Sequence, residues 1–98
     1  MNLTSKQRAF LKSKAQTIDP IIQVGKSSVT TELIDSVSEA IEKRELIKLH
    51  VLQNCLDDPK EIAQVIAERT QSTVVQVIGK KIVLFKQKKK ESKFTLPL

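Results

Sequence analysis

Two strand-like runs, residues 21–24 and 45–52, enclose a segment whose apolar residues recur at helical spacing, and nothing else constrains the fold of this chain so tightly. Leu33, Ile34, Val37, Ala40 and Ile41 follow the i, i+1, i+4, i+7, i+8 pattern of one buried helix face over residues 30–43. In the second run Ile47, Leu49 and Val51 fall on one side, with Lys48 and His50 on the other. Strand, helix and strand joined by short turns make a β-α-β crossover, with parallel strands and the helix packed on the sheet.

A second crossover follows. Asp58-Pro59-Lys60-Glu61 reads as a helix start, with Asp at the N-cap, Pro at the first helical position and Glu at N3, and with Ile62, Val65 and Ile66 as the buried stripe. Residues 73–78 and 82–85 are β-branched runs around Gly79-Lys80-Lys81, which predicts a hairpin and a last, antiparallel strand. Near the N-terminus, Thr4 and Gln7 form a T-x-x-Q capping box. The helix it opens has a partly apolar stripe of Leu3, Gln7, Phe10, Leu11, Lys14 and Ile18, and it ends before Asp19-Pro20. The order α-β-α-β-α-β-β predicts an α/β sandwich with a four-stranded mixed sheet.

Ninety-eight residues suffice for one domain, residues 1–98, that folds without staples. No linker rich in Gly, Pro or Ser divides it, and no internal repeat is visible. Residues 87–98 read as a basic C-terminal tail, whose Phe94 and Leu96 either dock on the body or hang free. The single cysteine, Cys55, excludes an internal disulfide framework and fits a reducing cytoplasm. No apolar run approaches the ~18 residues of a membrane span, and residues 1–6 lack the apolar core of a signal peptide. A soluble cytoplasmic domain with no membrane partner is expected.

The placement of charge says more than the net +6. Residues 1–29 carry five Lys or Arg against one acid, residues 30–69 five against nine, and residues 70–98 seven against one. Two basic ends around an acidic middle predict a polar molecule with one cationic face, and nucleic acid is the leading partner. Glu32, Asp35, Glu39 and Glu42, on the far side of the second helix, would repel a phosphate backbone and should face solvent or a protein.

Gly25-Lys26-Ser27-Ser28, between the first strand and the second helix, is suited to hold phosphate. A glycine lets backbone approach an anion, helix N–H groups and the helix dipole point the same way, and Lys26 adds a full charge. The same Gly-Lys-Ser also ends a nucleotide-binding P-loop, but that motif needs glycine where this chain has Pro20, and a flexible loop where it has a strand-like run. No nucleotide cofactor or small-molecule substrate is therefore expected.

Catalysis and metal binding have little support. His50 and Cys55 are the only residues of their kinds, too few for a structural zinc site, and a Cys-His dyad would require the strand end to fold back and a third orienting group. Cys55 reads as a small core side chain, and Asp57 and Asp58 as capping residues. With three Phe and no Tyr or Trp, the chain lacks an aromatic platform for stacking bases, so nucleic-acid contacts should be mainly to phosphate and sugar.

Several separate motifs resemble the CRM domain family, most nearly its stand-alone bacterial YhbY-like members. They are Leu3-Thr4-x-Lys6-Gln7-Arg8-x-x-Leu11-Lys12-x-x-Ala15, Pro20-Ile21-Ile22-Gln23-Val24-Gly25-Lys26, Glu45-Leu46-Ile47-Lys48, Val75-Gln76-Val77-Ile78-Gly79-Lys80 and Lys93-Phe94-x-Leu96-Pro97. The resemblance implies RNA binding, with roles in bacterial ribosome maturation and chloroplast group II intron splicing, and a fold similar to the C-terminal domain of translation initiation factor three. It also implies a Gly-x-x-Gly loop that clamps a nucleotide backbone, as in KH domains. Here Ser28 stands at the second glycine. A left-handed backbone is costlier for serine, and its hydroxyl could cap the helix or donate to phosphate.

The expected function is binding of structured RNA, ribosomal RNA in an assembling large subunit on the strength of the resemblance. The candidate site comprises Gly25, Lys26, Ser27 and Ser28, with Lys6, Arg8 and Lys12 from the first helix and Lys80 and Lys81 from the hairpin. The alternatives are a protein-interaction adaptor that uses the acidic helix face and binds RNA only weakly, and a small hydrolase or nuclease using His50 with Asp57 or Asp58.

Overall fold

In the computed structural model, which describes residues 2–98, seven elements follow the expected order. They are α1 (Ser5–Ala15), β1 (Ile22–Val24), α2 (Thr31–Arg44), β2 (Leu46–Val51), α3 (Pro59–Thr70), β3 (Thr73–Ile78) and β4 (Lys81–Phe85). Met1, at the head of the stretch read above for a secretion signal, lies outside the described residues. Both expected caps form, at Thr4 and Asp58, and α2 is capped by Thr30. The Thr4 hydroxyl accepts from the Gln7 N–H while Gln7 Oε1 accepts from the Thr4 N–H, Thr30 accepts from Leu33, and Asp58 accepts from Lys60.

The sheet order is β1-β2-β4-β3. β1 and β2 are adjacent and parallel, as the first crossover predicts. β2 and β3 also run in the same direction, but β4 lies between them, antiparallel to both. The reason lies in β4 itself. Ile82, Val83, Leu84 and Phe85 are all buried, a continuous apolar run that needs cover on both faces and so takes an inner position. β3, with Ile78 60% exposed and a bulge between Val74 and Gln76, is fit for the edge.

Side-chain alternation along β2 and β4 builds two cores. Ile47, Leu49, Val51, Ile82 and Leu84 face α2 and α3, where Ile34, Val37, Ile41, Ile62 and Ile66 meet them. Leu46, Val83 and Phe85 face the other way and are covered by Leu11 and Ala15 of α1. On α3 the buried stripe is Ile62, Ala63, Ile66, Ala67 and Thr70, and Val65 is 41% exposed. The expected stripe was rotated: two alanines let the helix lie close to the sheet on their own side, which turns Val65 outward.

Residues 87–98 do not form a free basic tail. Glu45, which ends α2 with φ +66° and is fully buried, gathers the segment: its carboxylate accepts from the Ser92 hydroxyl at 2.6 Å, the Lys93 N–H at 2.6 Å and the Lys88 N–H at 3.0 Å. Its carbonyl also accepts from the Lys86 N–H at 2.8 Å. Phe94 then stands edge-on to Phe85, with ring centres 5.6 Å apart, and Leu96 packs on the α1 core.

Burial pushes the Glu45 carboxyl up, but the hydrogen bonds from Ser92, Lys93 and Lys88 and the Lys88 charge outweigh it and hold the group below its ordinary 4.5. Because the folded chain favours the carboxylate, its contribution to stability is complete above that ordinary value and is lost as pH falls through the lower folded value. Glu45→Gln leaves N–H donors poorly paired and lowers stability by roughly 2–3 kcal/mol at neutral pH, and it flattens the acid limb of the stability curve. Urea unfolding of both proteins across the acid range checks this. Removing residues 87–98 strips Phe85 and α1 of apolar cover, so the truncated chain melts markedly lower or fails to fold, as circular dichroism would show.

Candidate nucleic-acid interface

The Gly25-Lys26-Ser27-Ser28 segment leaves β1 as a β-turn closed by the Ser28 N–H donating to the Gly25 carbonyl at 2.9 Å. Ser28 is the left-handed residue, at φ +56°. Gly25 does not have a positive φ, and a Cβ there would meet nothing within 4 Å, so the backbone conformation needs glycine at position 28 and not at 25. Thr30 holds the N-cap of α2, which removes Ser28 from that role. Lys26 and Ser27 are exposed, and the hydroxyls of Ser27 and Ser28 make no hydrogen bond among the described residues.

Two backbone bonds set the turn's neighbours. The Leu52 N–H donates to the Val24 carbonyl at 2.8 Å, and the Val51 N–H to the Lys80 carbonyl at 2.7 Å. The exit of β1, the end of β2 and the β3–β4 hairpin therefore share one end of the sheet. The turn and the hairpin tip lie two strand spacings apart, about 10 Å. Gly79, at φ +55°, makes the hairpin's tight reversal, which leaves Lys80 exposed at the tip and Lys81 exposed beside it. On the turn's other flank a groove of about 410 Å³ runs past Ser27 and Ser28 to Asp57 and Glu61. Phosphate is thus attracted from the hairpin side and repelled from the α3 side.

Lys6, Arg8 and Lys12 do not join this cluster as a group. The Arg8 guanidinium donates to the carbonyls of Val74 and Val75, at 2.8 and 2.7 Å, and so satisfies the β3 bulge and fastens α1 across the edge strand. That contact fixes the N-terminal half of α1 near the start of β3, far from the hairpin tip. Lys6 is exposed at that end, and Lys12 lies one helical turn beyond Arg8 toward the tip. The expected single cationic face is also divided. Lys88 and Lys89 flank Gln71, Thr73 and Phe85, at the opposite end of the sheet from the turn, about 20 Å away for a six-residue strand.

Lys48 was given no role in the sequence reading, yet it sits on the α1 side of β2, near Lys81 and past the end of α1. The alternation that set Lys48 and His50 opposite the apolar side of β2 was the available signal. His50, paired with Gln23 and Lys81, lies on the sheet face opposite the core that holds Cys55, so the two do not form a dyad. Among the described residues no helix is long and apolar enough to cross a membrane.

Comparison with known proteins gives the family. The family model of the CRS1 / YhbY (CRM) domain matches residues 3–86. The chain is 46% identical over 95 residues to the Bacillus subtilis protein named "Probable RNA-binding protein YqeI", covering 97% of this chain and 99% of that one. It is 30% identical to a Haemophilus influenzae protein named "RNA-binding protein", covering 97% and 95%. The solution structure of a hypothetical protein from Staphylococcus aureus, 46% identical, superposes with a TM-score of 0.83 and covers 98% of this chain and 100% of that one. The chain belongs to the CRS1/YhbY (CRM) domain family.

Proposed function

We propose that this protein binds structured RNA through the end of the sheet where the 25–28 turn meets the hairpin tip. The observation that carries the reading is that gathering: Lys26, Lys80, Lys81 and two unengaged serine hydroxyls at one end of the sheet, with Lys48 behind them. Backbone N–H groups, hydroxyls and ammonium groups are the donors with which proteins hold phosphates. The RNA-binding names of relatives that align over nearly the whole chain support it. Gly25, Lys26, Ser27, Ser28, Lys80 and Lys81 form the main contact, with Lys6 and Lys12 as outlying cations. Arg8 serves the β3 bulge first.

The partner within this reading is ribosomal RNA during large-subunit assembly, on the family resemblance, in the cytoplasm and without catalysis. Crosslinking to cellular RNA tests it: adducts clustered in large-subunit RNA support the assignment, and scattered adducts remove it. The adaptor alternative is weakened by pairing on α2, where Glu39 meets Lys43 at 3.5 Å and Glu42 meets Lys86 at 2.6 Å.

Two measurements follow from the turn. Lys26→Glu reverses an exposed charge, so stability changes by no more than about 0.5 kcal/mol while RNA affinity falls sharply. Ser28→Gly relieves the left-handed serine and raises stability by about 0.5–1 kcal/mol with RNA affinity kept, whereas a drop in affinity would make the hydroxyl a phosphate donor. Melting curves and filter binding on both variants decide. With about four to six phosphates neutralised, log K falls linearly with log salt, at a slope of about −0.9 per phosphate on duplex. A flat titration would overturn phosphate-led binding.

A further inference from the structure

α1 is too short to cover its face of the sheet. Beyond its C-terminus a groove of about 300 Å³ is left open, lined by Gln16, Lys48, Gln76, Ile78, Lys81 and Val83. Lys48 pairs with Val83, His50 with Lys81, and Gln76 with Val83 across the strands, so these side chains rise from neighbouring strands on one face. Ile78, 60% exposed, gives the groove its apolar wall, while Val83, 4% exposed, closes its base as part of the α1 core. The amides of Gln16 and Gln76 and the ammonium groups of Lys48 and Lys81 have no hydrogen bond or ion pair among the described residues.

Among the described residues no acidic side chain lines this groove, in contrast to the one beside Ser27, which holds Asp57 and Glu61. The groove also runs directly from the hairpin that carries Lys80. Its volume is at the lower end of ligand sites, enough for one nucleotide and too small for a folded element. An exposed apolar wall, two amides that both donate and accept, and two cations match one chemistry: the flat apolar face of a base, its polar edge and its phosphate.

We propose that this groove is a base-reading subsite that takes one unpaired purine of the bound RNA, and so gives the protein a nucleotide preference that phosphate contacts alone cannot supply. A Gln amide is complementary to the adenine N6 and N7 edge, and a lysine to guanine O6 and N7, so both polar groups favour purines. The larger ring also covers more of Ile78, the exposed apolar side chain of the groove. The inference rests on the RNA-binding reading above, placing the RNA strand across the hairpin tip with one base turned onto the sheet.

The test uses single-stranded oligoribonucleotides of A, C or U, read by fluorescence anisotropy. The A oligomer is expected to bind tighter than C and U by roughly fivefold to a hundredfold, the range of one well-placed polar readout. Gln76→Leu should erase that preference while leaving residual affinity for all three. Gln16→Leu, on an exposed helix end that does not endanger folding, should reduce the preference in the same direction. Equal affinities for the three oligomers, no binding of any, or a preference unchanged in both variants would overturn the subsite. Lys26→Glu keeps the two readings apart: it should weaken all three oligomers equally, and if it weakens none the phosphate-binding turn fails whatever the groove does.

Discussion

A carboxylate shut off from water, on a residue with positive φ, stands where α2 ends and β2 begins, and one end of the molecule is assembled around it. Glu45 stops the helix with a backbone turn and offers its side chain to three donors from residues 88–93. An unpaired carboxylate at this depth would be strongly destabilising, so the local chain reversal and the docking of the C-terminal segment are one event. Once docked, that segment brings Phe94 and Leu96 to the core beneath α1, a core that α1 contributes to with only two fully buried residues.

The end of the sheet proposed to bind RNA is built by strands, not by loops alone. β1 and β2 run parallel and deliver the 25–28 turn, while the antiparallel β4 brings the hairpin to the same side. Two backbone bonds, from Leu52 to Val24 and from Val51 to Lys80, anchor both the turn and the tip to the sheet ladder. The part of the turn that departs from low-energy backbone is Ser28, a strain confined to one residue next to a rigid strand.

Much of this architecture was legible because its causes are local. Thr4 and Asp58 cap their own helices within three residues, and the alternation in β2 needs no partner to be read. What escaped reading depends on residues far apart in sequence. The insertion of β4 between β2 and β3 is a choice among pairings that sequence period does not decide. The role of Glu45 needed donors 43–48 residues away, and that of Arg8 needed carbonyls 66 and 67 residues away. Charge was misjudged for the same reason: block sums along the chain say nothing of which end of a strand a lysine reaches.

The division of lysines between the two ends of the sheet bears on how a polyanion meets this protein. A molecule with positive charge at one end turns that end toward RNA while still at a distance, whereas one charged at both ends is drawn in with little torque. Lys88 and Lys89 at the clamped end compete with Lys26 and Lys80 at the other for the first encounter. On the proposed binding at the turn end, charge then does little to orient the protein before contact, and orientation is selected at contact by shape and hydrogen bonding, which makes reorientation on the RNA surface the selective step.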